Sequence, residues 1–393
     1  MNFLKKLKSI FTKADIFVTL SLIILLVLSC IMVYSASMIG NQYGIFTNYR
    51  PVAENYFFKR QAIWALLSFV AYLFFAVAIS YKFLKYKKLY EFMFVPLMIL
   101  LILPRLMGTN INGAYSWISI SGFTFQPSTI AQMYIIAYLA FIIDSRKDIM
   151  IRPTTLREIT SLFIIPISIL GFIFLQNDTG TFLLTSVVMA IMIFCSNISF
   201  KNLFNLMMLS IVGIVVGGLF YTLISSGTSY RVNRINAFLD PFGSNSEASN
   251  HIVNSMIAFG NGGMFGRGLG NSIQKLGYLP EAHTDFIIAV VAEELGYVGV
   301  LFVVFLLLVI IIKVMSAGLG SRSTFDSLLS IGFASLLLVQ TIVNIGGVSG
   351  SIPMTGVPIP FFSSGGSSML VFSVGLGIVM NLLSHTKYIR GGK

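Results

Sequence analysis

Ten runs of roughly twenty apolar residues divide the chain, at about 16–37, 59–80, 88–104, 126–143, 158–176, 180–198, 203–224, 285–312, 325–347 and 361–383. A helix that crosses a bilayer needs about 20 such residues, because the hydrocarbon core is about 30 Å thick and a helix rises 1.5 Å per residue. Lipid cannot satisfy a backbone N–H or C=O, so spans of this kind must be helices. The fifth and sixth runs are separated only by Asn177-Asp178-Thr179-Gly180. Charged residues make up 10% of the 393 and hydrophobic residues 56%, whereas a soluble protein carries about 25% charged residues. The expected fold is therefore an all-α integral membrane protein of ten transmembrane helices. It forms a single polytopic domain over residues 1–393, with one large extracellular loop, about 225–284, between helices 7 and 8.

The N-terminal lysines (Lys5, Lys6, Lys8 and Lys13) ahead of an apolar run mimic a signal peptide. The run from Ile16 to Ser37 exceeds an h-region of about 7–15 residues, so it reads as the first span. Lys and Arg number 26 against 14 Asp and Glu. With the N-terminus inside, 18 of the 26 fall in cytoplasmic segments and 8 outside, so the positive-inside rule places both termini in the cytoplasm. Flanking spans accounts for the basic excess, and no nucleic-acid partner is expected. Cys30 and Cys195 sit inside apolar runs and suit neither a disulfide nor zinc. No internal repeat of the kind common in transporters is evident.

Polar residues gather on the outward side. The long loop carries Arg231, Arg234, Asp240, Glu247, His251, Arg267, Lys275, Glu281 and His283, with Asp285 at the membrane edge. Long polar loops in otherwise compact proteins are usually functional. Apolar residues at helical spacing (Ile252, Val253, Met256, Ile257, Phe259) suggest that part of the loop folds back on the membrane surface. A glycine-dense stretch, Gly260 to Gly270, follows. Three more outward segments break the helical pattern: Asn112 to Trp117 leading to Phe125-Gln126-Pro127-Ser128, Gln176 to Gly180, and Pro353 to Pro360 with Ser363 to Ser368. Broken backbone at membrane depth requires surrounding protein or a water-filled cavity, so a cavity open to the outer face is expected.

Within it, Asp285 could be a helix N-terminal acid that complements the dipole or a general base whose pKa is raised by partial dehydration. Glu281 and His283 precede it at two-residue steps. Glu293 and Glu294 read as buried residues that hold the eighth span to its neighbours. Arg231 and Arg234, three apart, would share one helix face and suit phosphate oxygens, or equally anionic lipid head groups. The sequence has no HExxH, CxxC or Walker loop, and the glycines at 266–270 lack dinucleotide-binding spacing.

These residues resemble the signatures of the SEDS family (shape, elongation, division and sporulation). Tyr278 to Ile287 followed by Glu293-Glu294-Leu295-Gly296-Tyr297 is similar to one motif, and Pro353 to Phe361 with Gly365-Gly366-Ser367-Ser368 to another. The segments around Trp117, Phe125 to Ser128 and Asp178-Thr179-Gly180 match in the family's order, and the likeness runs from about 16 to 384. Met32 to Ser37 and Phe57 to Gln61 look more like the division (FtsW-type) branch than the elongation branch.

The resemblance implies a ten-helix peptidoglycan glycosyltransferase that polymerises lipid II at the outer face of the bacterial membrane. Its implied partners are a class B penicillin-binding protein, other division or elongation proteins and membrane lipid. The family's essential acid falls on Asp285, and its functional tryptophan on Trp117. The expected reaction has Asp285 take a proton from the acceptor's 4-hydroxyl while undecaprenyl pyrophosphate leaves the donor. Arg231, Arg234 and Lys275 are candidates to hold the pyrophosphate, with Glu281 and His283 as further substrate contacts and apolar grooves for the lipid tails. A divalent cation, magnesium or manganese, could assist, held partly by the pyrophosphate itself, and Asp285 could ligate that ion instead of acting as base. Two departures stand out. Many members carry a Glu and a Lys where this chain has Thr129 and Gln132, and basic residues where it has Tyr115-Ser116. A lipid II flippase and a non-catalytic scaffold are the rival readings.

Overall fold

The computed structural model describes residues 16–47, 50–78, 80–107, 114–120, 123–209, 230–243 and 247–391. Their helices, in order, are α1 (Ile16–Gln42), α2 (Tyr56–Val77), α3 (Lys87–Met107), α4 (Pro127–Ser145), α5 (Lys147–Ile151), α6 (Leu156–Leu175), α7 (Thr179–Phe194), α8 (200–209), α9 (Tyr230–Leu239), α10 (Glu247–Gly262), α11 (Ile287–Leu319), α12 (Thr324–Val348) and α13 (Gly366–Gly391). Among the described residues eight helices are long and apolar enough to cross a membrane: α1, α2, α3, α4, α6, α11, α12 and α13. The protein is thus a multi-pass membrane protein. The run expected at 180–198 is a shorter apolar helix of 16 residues, α7. Most of the run at 203–224 lies outside the described residues. One departure from an all-helical chain is a small antiparallel hairpin, β1 (Ile118–Ile120) with β2 (Phe123–Phe125), where Ile118 pairs with Phe125. Its β-branched and aromatic residues suit a strand pair.

Small residues let the helices approach closely, as membrane helices require when no hydrophobic effect drives them together. A Cβ on Gly377 of α13 would lie 2.6 Å from the Tyr72 carbonyl of α2, and one on Gly332 of α12 2.6 Å from Met192 Sδ of α7. α12 is buried along most of its length and packs on α4, α7 and α11. α6 starts with a capping box between Thr155 and Glu158, which satisfies two amides that the first turn leaves open.

α11 is broken near its start. Gly296 has φ 71° and ψ −173°, a conformation open to glycine and strained for other residues. The break frees two carbonyls and two amides, and the glycine-dense stretch pairs with all four. Arg267 N donates to Glu293 O (2.9 Å) and Gly268 N to Glu294 O (3.0 Å), while Tyr297 N donates to Gly263 O (3.0 Å) and Val298 N to Met264 O (3.2 Å). A Cβ on either Gly266 or Gly296 would overlap the other strand's backbone. The glycines at 260–270 therefore serve close backbone approach, not nucleotide binding.

Candidate active site

Four loops from distant parts of the sequence meet beside the start of α11. Asp285 sits in the turn before it, where Thr284 N and Phe286 N both donate to Glu281 O (3.2 Å each). Asn344 of α12 fixes this turn to the Pro353–Pro360 loop, because its Nδ2 donates both to Asp285 O (3.0 Å) and to Val357 O (2.8 Å). Gln340, one turn earlier, donates to Pro358 O at 2.7 Å. Gly356, with φ 71°, passes directly over the acid, and a Cβ there would lie 3.4 Å from Asp285 Oδ2 and 3.3 Å from an Arg234 guanidinium nitrogen. Arg234, on α9, donates to Met354 O at 3.2 Å.

The opposite wall is built on Asp178, the N-cap of α7. Its Oδ1 accepts from Thr181 N (3.1 Å), and its Oδ2 from Gln126 Nε2 (3.0 Å) and Ser128 Oγ (3.2 Å). Gly180 follows, and a Cβ on it would lie 2.7 Å from Thr355 O. These segments enclose a polar cavity of about 570 Å³ lined by Asp285, Glu281, His283, Arg234, Asp178 and Trp117, among others. α2 adds Arg60, Gln61 and Trp64.

Depth can be read from α12. Asp326, 3.5 Å from Lys85 Nζ at one end, and Asn344 at the cavity are eighteen residues apart, about 27 Å at 1.5 Å per residue. That is close to the hydrocarbon thickness of about 30 Å. The cavity lies at the end of α12 opposite the Lys85 end.

The electrostatics follow from crowding in a partly dehydrated space. Burial, then the Glu281 charge, lifts the Asp285 carboxyl to about 7; Arg234 pulls it back and Asp178 pushes it further up. His283 lies between Phe46 and Phe57, with ring centroids 4.5 and 4.4 Å away. Burial, partly offset by Glu281 and reinforced by Arg60, lowers it to about 4, so its imidazole is neutral. Its Nδ1 has no partner, and its carbonyl accepts from Ser364 N at 3.1 Å.

Of the residues singled out from sequence, the cavity brings together Asp285, Glu281, His283, Arg234 and Trp117. Lys275 is a correction. It does not face the cavity: its ammonium is buried 2.7 Å from Glu294 Oε1 and 3.0 Å from Ser35 Oγ of α1. A buried ammonium must be paired, and this one is closed to any phosphate in the cavity because its side chain is only 1% exposed. Glu293 and Glu294 are both fully buried. Glu293 accepts from Ser272 Oγ (2.5 Å), Gln274 N (3.1 Å) and Asn261 Nδ2 (3.2 Å). The side chain of Arg231 lies outside the described residues, as do residues 108–113.

Of the two sequence departures, the first has a neutral substitute and the second a nearby cation. Thr129 donates to Gln126 Oε1 (3.3 Å) and Gln132 to Thr185 Oγ1 (3.1 Å). Beside Tyr115, Arg105 lies 5.7 Å from the ring centroid and donates to Leu175 O at 2.6 Å. Arg60, Gln61 and Trp64 were missed as site residues. A cation inside an apolar helix, with a glutamine beside it and a tryptophan four residues on, was the available signal. Among the described residues no group of three or more His, Cys, Asp or Glu side chains could hold a metal ion. The acids of this cavity do not form a protein-made cage.

A second cavity, about 520 Å³ and almost wholly apolar, adjoins the first. It is lined from α2, α3, α4, α12 and α13, by Phe75, Met93, Met133, Phe333 and Val374 among others, and Trp64 lines both. A Cβ on Gly366 would collide with the Trp64 indole.

Residues 15–388 match the FtsW, RodA and SpoVE family, described as cell cycle proteins. A Bacillus subtilis (strain 168) protein named a probable peptidoglycan glycosyltransferase FtsW is 36% identical over 388 residues, which is 95% of this chain and 92% of that protein. Stage V sporulation protein E of the same organism is 32% identical, covering 96% of this chain and 99% of its own. The fold is similar to a chain of a peptidoglycan synthase complex in which polymerization and crosslinking are coordinated, with TM-score 0.69, 24% identity, and 93% and 97% of the two chains covered. It is also similar to Thermus thermophilus RodA, a rod shape determining protein, with TM-score 0.60, 22% identity, and 94% and 96% covered. From its relatives and from the match along nearly its whole length, this chain belongs to the FtsW/RodA/SpoVE family of cell cycle proteins.

Proposed function

We propose that the protein is a peptidoglycan glycosyltransferase that polymerises lipid II at the outer face of the bacterial cytoplasmic membrane, with Asp285 as general base. The observation that carries this reading is a carboxyl raised to about 7 in a polar cavity with Arg60 and Arg234 on its walls and an apolar cavity adjoining at Trp64. A base poised near operating pH is suited to take a proton in the transition state. The family's peptidoglycan chemistry supplies the substrate: a sugar head, a pyrophosphate and a long apolar tail.

In the reaction, Asp285 accepts the proton of the acceptor's N-acetylglucosamine 4-hydroxyl. That oxygen bonds to the anomeric carbon of the donor's N-acetylmuramic acid from the face opposite the leaving group. The bond from that carbon to the pyrophosphate breaks, its electron pair leaves with undecaprenyl pyrophosphate, and the sugar inverts. Asp285 then releases its proton to solvent. The developing charge on the leaving group is stabilised by Arg234 and Arg60, with Arg231 as a further candidate. Neutral His283, held between Phe46 and Phe57, shapes the wall beside Asp285, Trp117 gives the sugars an apolar face, and the tail lies in the apolar cavity. Any magnesium or manganese ion would need substrate oxygens among its ligands, and no step above depends on one.

Ten spans with both termini cytoplasmic fit the charge bias, and a class B penicillin-binding protein that cross-links the new glycan is the expected partner. The test is lipid II polymerisation by purified protein, with and without candidate partners. Polymer from the native protein and none from a folded Asp285→Asn variant is the expected result. Transport of lipid II in liposomes without polymer would instead favour the flippase reading, and a dispensable Asp285 the scaffold.

A further inference from the structure

Three stretches of chain pass straight from the polar cavity into the apolar one. On α2, Gln61 lines the first cavity, Trp64 both and Phe75 the second. At the start of α13, Gly366 lines the first and Ser367 the second; ahead of α4, Gln126 lines the first and Phe125 the second. Gln126 N donates to Ser367 Oγ at 3.4 Å, which ties two sides of this neck together. Trp64 stands on a third side. A Cβ on Gly366 would lie 2.2 Å from its Nε1, so the glycine is what gives the indole its place. An indole, apolar in body with one polar edge, suits a boundary between wet and dry space.

From the neck the apolar cavity follows one face of α13, where Ser367, Leu370, Val371, Val374 and Ile378 recur at helical spacing and Val379 comes last. Ser367 to Val379 is twelve residues, about 18 Å at 1.5 Å per residue. A volume of about 520 Å³ over that length leaves a mean section of about 29 Å². That is room for one branched hydrocarbon chain with wall atoms at about 4–4.5 Å from its carbons, and not for two. An isoprene unit adds four chain bonds of about 1.5 Å, so it advances about 4.5–5 Å when extended, and the cavity is about four units long. At the far end stand Leu84, Tyr90, Tyr134 and Leu329, the last only three residues from Asp326. Tyr90 Oη donates to Leu84 O (2.6 Å) and Tyr134 Oη to Tyr90 O (2.9 Å). Both hydroxyls are thus taken up by backbone carbonyls, and the rings present apolar faces to the cavity.

We propose that this cavity is a one-chain slot for the four isoprene units nearest the pyrophosphate of a polyprenyl substrate, with Trp64 at the junction of pyrophosphate and chain. The proposal rests on the reading of the polar cavity as the site of sugar and pyrophosphate. It adds how much of the tail is held, in which direction it runs and which residue sets its register. Arg60, one turn before Trp64 on the same face of α2, lines the polar side. A chain whose first unit rests on the indole therefore keeps its pyrophosphate near that guanidinium. Lipid is as apolar as the slot, so threading the tail contributes register more than affinity. The later units return to the bilayer.

The experiment uses undecaprenyl pyrophosphate carrying a photoreactive diazirine on its first, fourth or ninth isoprene unit. Each probe is bound to full-length protein in phospholipid nanodiscs and the labelled peptides are read by mass spectrometry, with no turnover required. The first-unit probe should label Trp64 and Leu370, the fourth-unit probe the stretch from Leu89 to Met93, and the ninth-unit probe mainly lipid. Excess unlabelled undecaprenyl pyrophosphate should reduce the first two signals several-fold. Val374 lies seven residues beyond Ser367, about 10 Å along the slot. Val374→Trp should therefore abolish fourth-unit labelling at α3 and spare first-unit labelling at the neck. Fourth-unit labelling confined to lipid or to the exposed flank of α3 at Phe92 and Leu106 overturns the proposal. So does equal labelling of neck and far end by both probes, or a fourth-unit signal that Val374→Trp leaves unchanged. If that variant fails to fold, the native pattern decides alone. Polymer formed without slot labelling refutes the slot and keeps the glycosyltransferase; slot labelling without polymer does the reverse.

Discussion

Lys275 Nζ lies 2.7 Å from Glu294 Oε1, and both side chains are closed to solvent. The pair joins the end of the long loop to α11, and Ser35 brings in α1. Removing one member of a buried pair strands the other's charge, which typically costs about 3–5 kcal/mol. Lys275→Met alone and Glu294→Gln alone should each lower the unfolding midpoint of the purified protein sharply. The double variant, with no charge left to strand, should recover most of the loss. A pyrophosphate-binding lysine would behave differently, with Lys275→Met leaving the midpoint unchanged and raising KM.

Asp285 ties activity to pH. As a base it works only when ionised, so turnover should rise with pH through about 7 and level off above. Stability should move the other way. The folded pKa lies above the ordinary value of about 3.9, so between these values the folded state holds more protons than the unfolded state, and stability falls as pH rises through that window. Asp285→Asn should therefore be inactive yet more stable than the native protein at pH 8. The gain is on the order of a few kcal/mol, at 1.36 kcal/mol per pKa unit, and vanishes below about pH 4. Thermal unfolding at pH 4, 6 and 8 measures it.

Arg234 should act on both the leaving group and the base. Its loss removes a stabilising cation, and Arg234→Ala should reduce kcat by about 10²-fold. Because its charge also holds the Asp285 pKa down, the midpoint of the remaining pH–rate profile should move upward. An unshifted midpoint would separate the two roles and leave Arg234 with the substrate alone.

Gly356 is a test of backbone rather than charge. An alanine there would take a left-handed conformation, costing about 1–2 kcal/mol, and press its methyl against Arg234 and Asp285. Gly356→Ala should fold, with a modestly lower midpoint, and lose most of its polymerising activity.

The membrane class, the approximate spans and Asp285 were legible because twenty-residue apolar runs and isolated acids contrast strongly with their surroundings. The role of Lys275 was not. Position in an outward loop says nothing about whether an ammonium meets a ligand or a buried carboxylate, and Glu294 is nineteen residues away in sequence. Arg60 and Trp64 were hidden for a related reason: α2 reads as an ordinary span until the fold turns one face of its first two turns into the cavity. The break at Gly296 left only a single glycine as its mark, while the partner that stabilises it lies some thirty residues earlier.

Gly180 and Gly356 bear on how an antibacterial compound aimed at this cavity would fare over generations. Bacteria commonly escape an inhibitor by enlarging a residue it touches. At these two positions any side chain would meet Thr355, Arg234 or Asp285 before it met the drug. A compound that rests on those two stretches of bare backbone would confront the cell with a choice between susceptibility and a crippled enzyme.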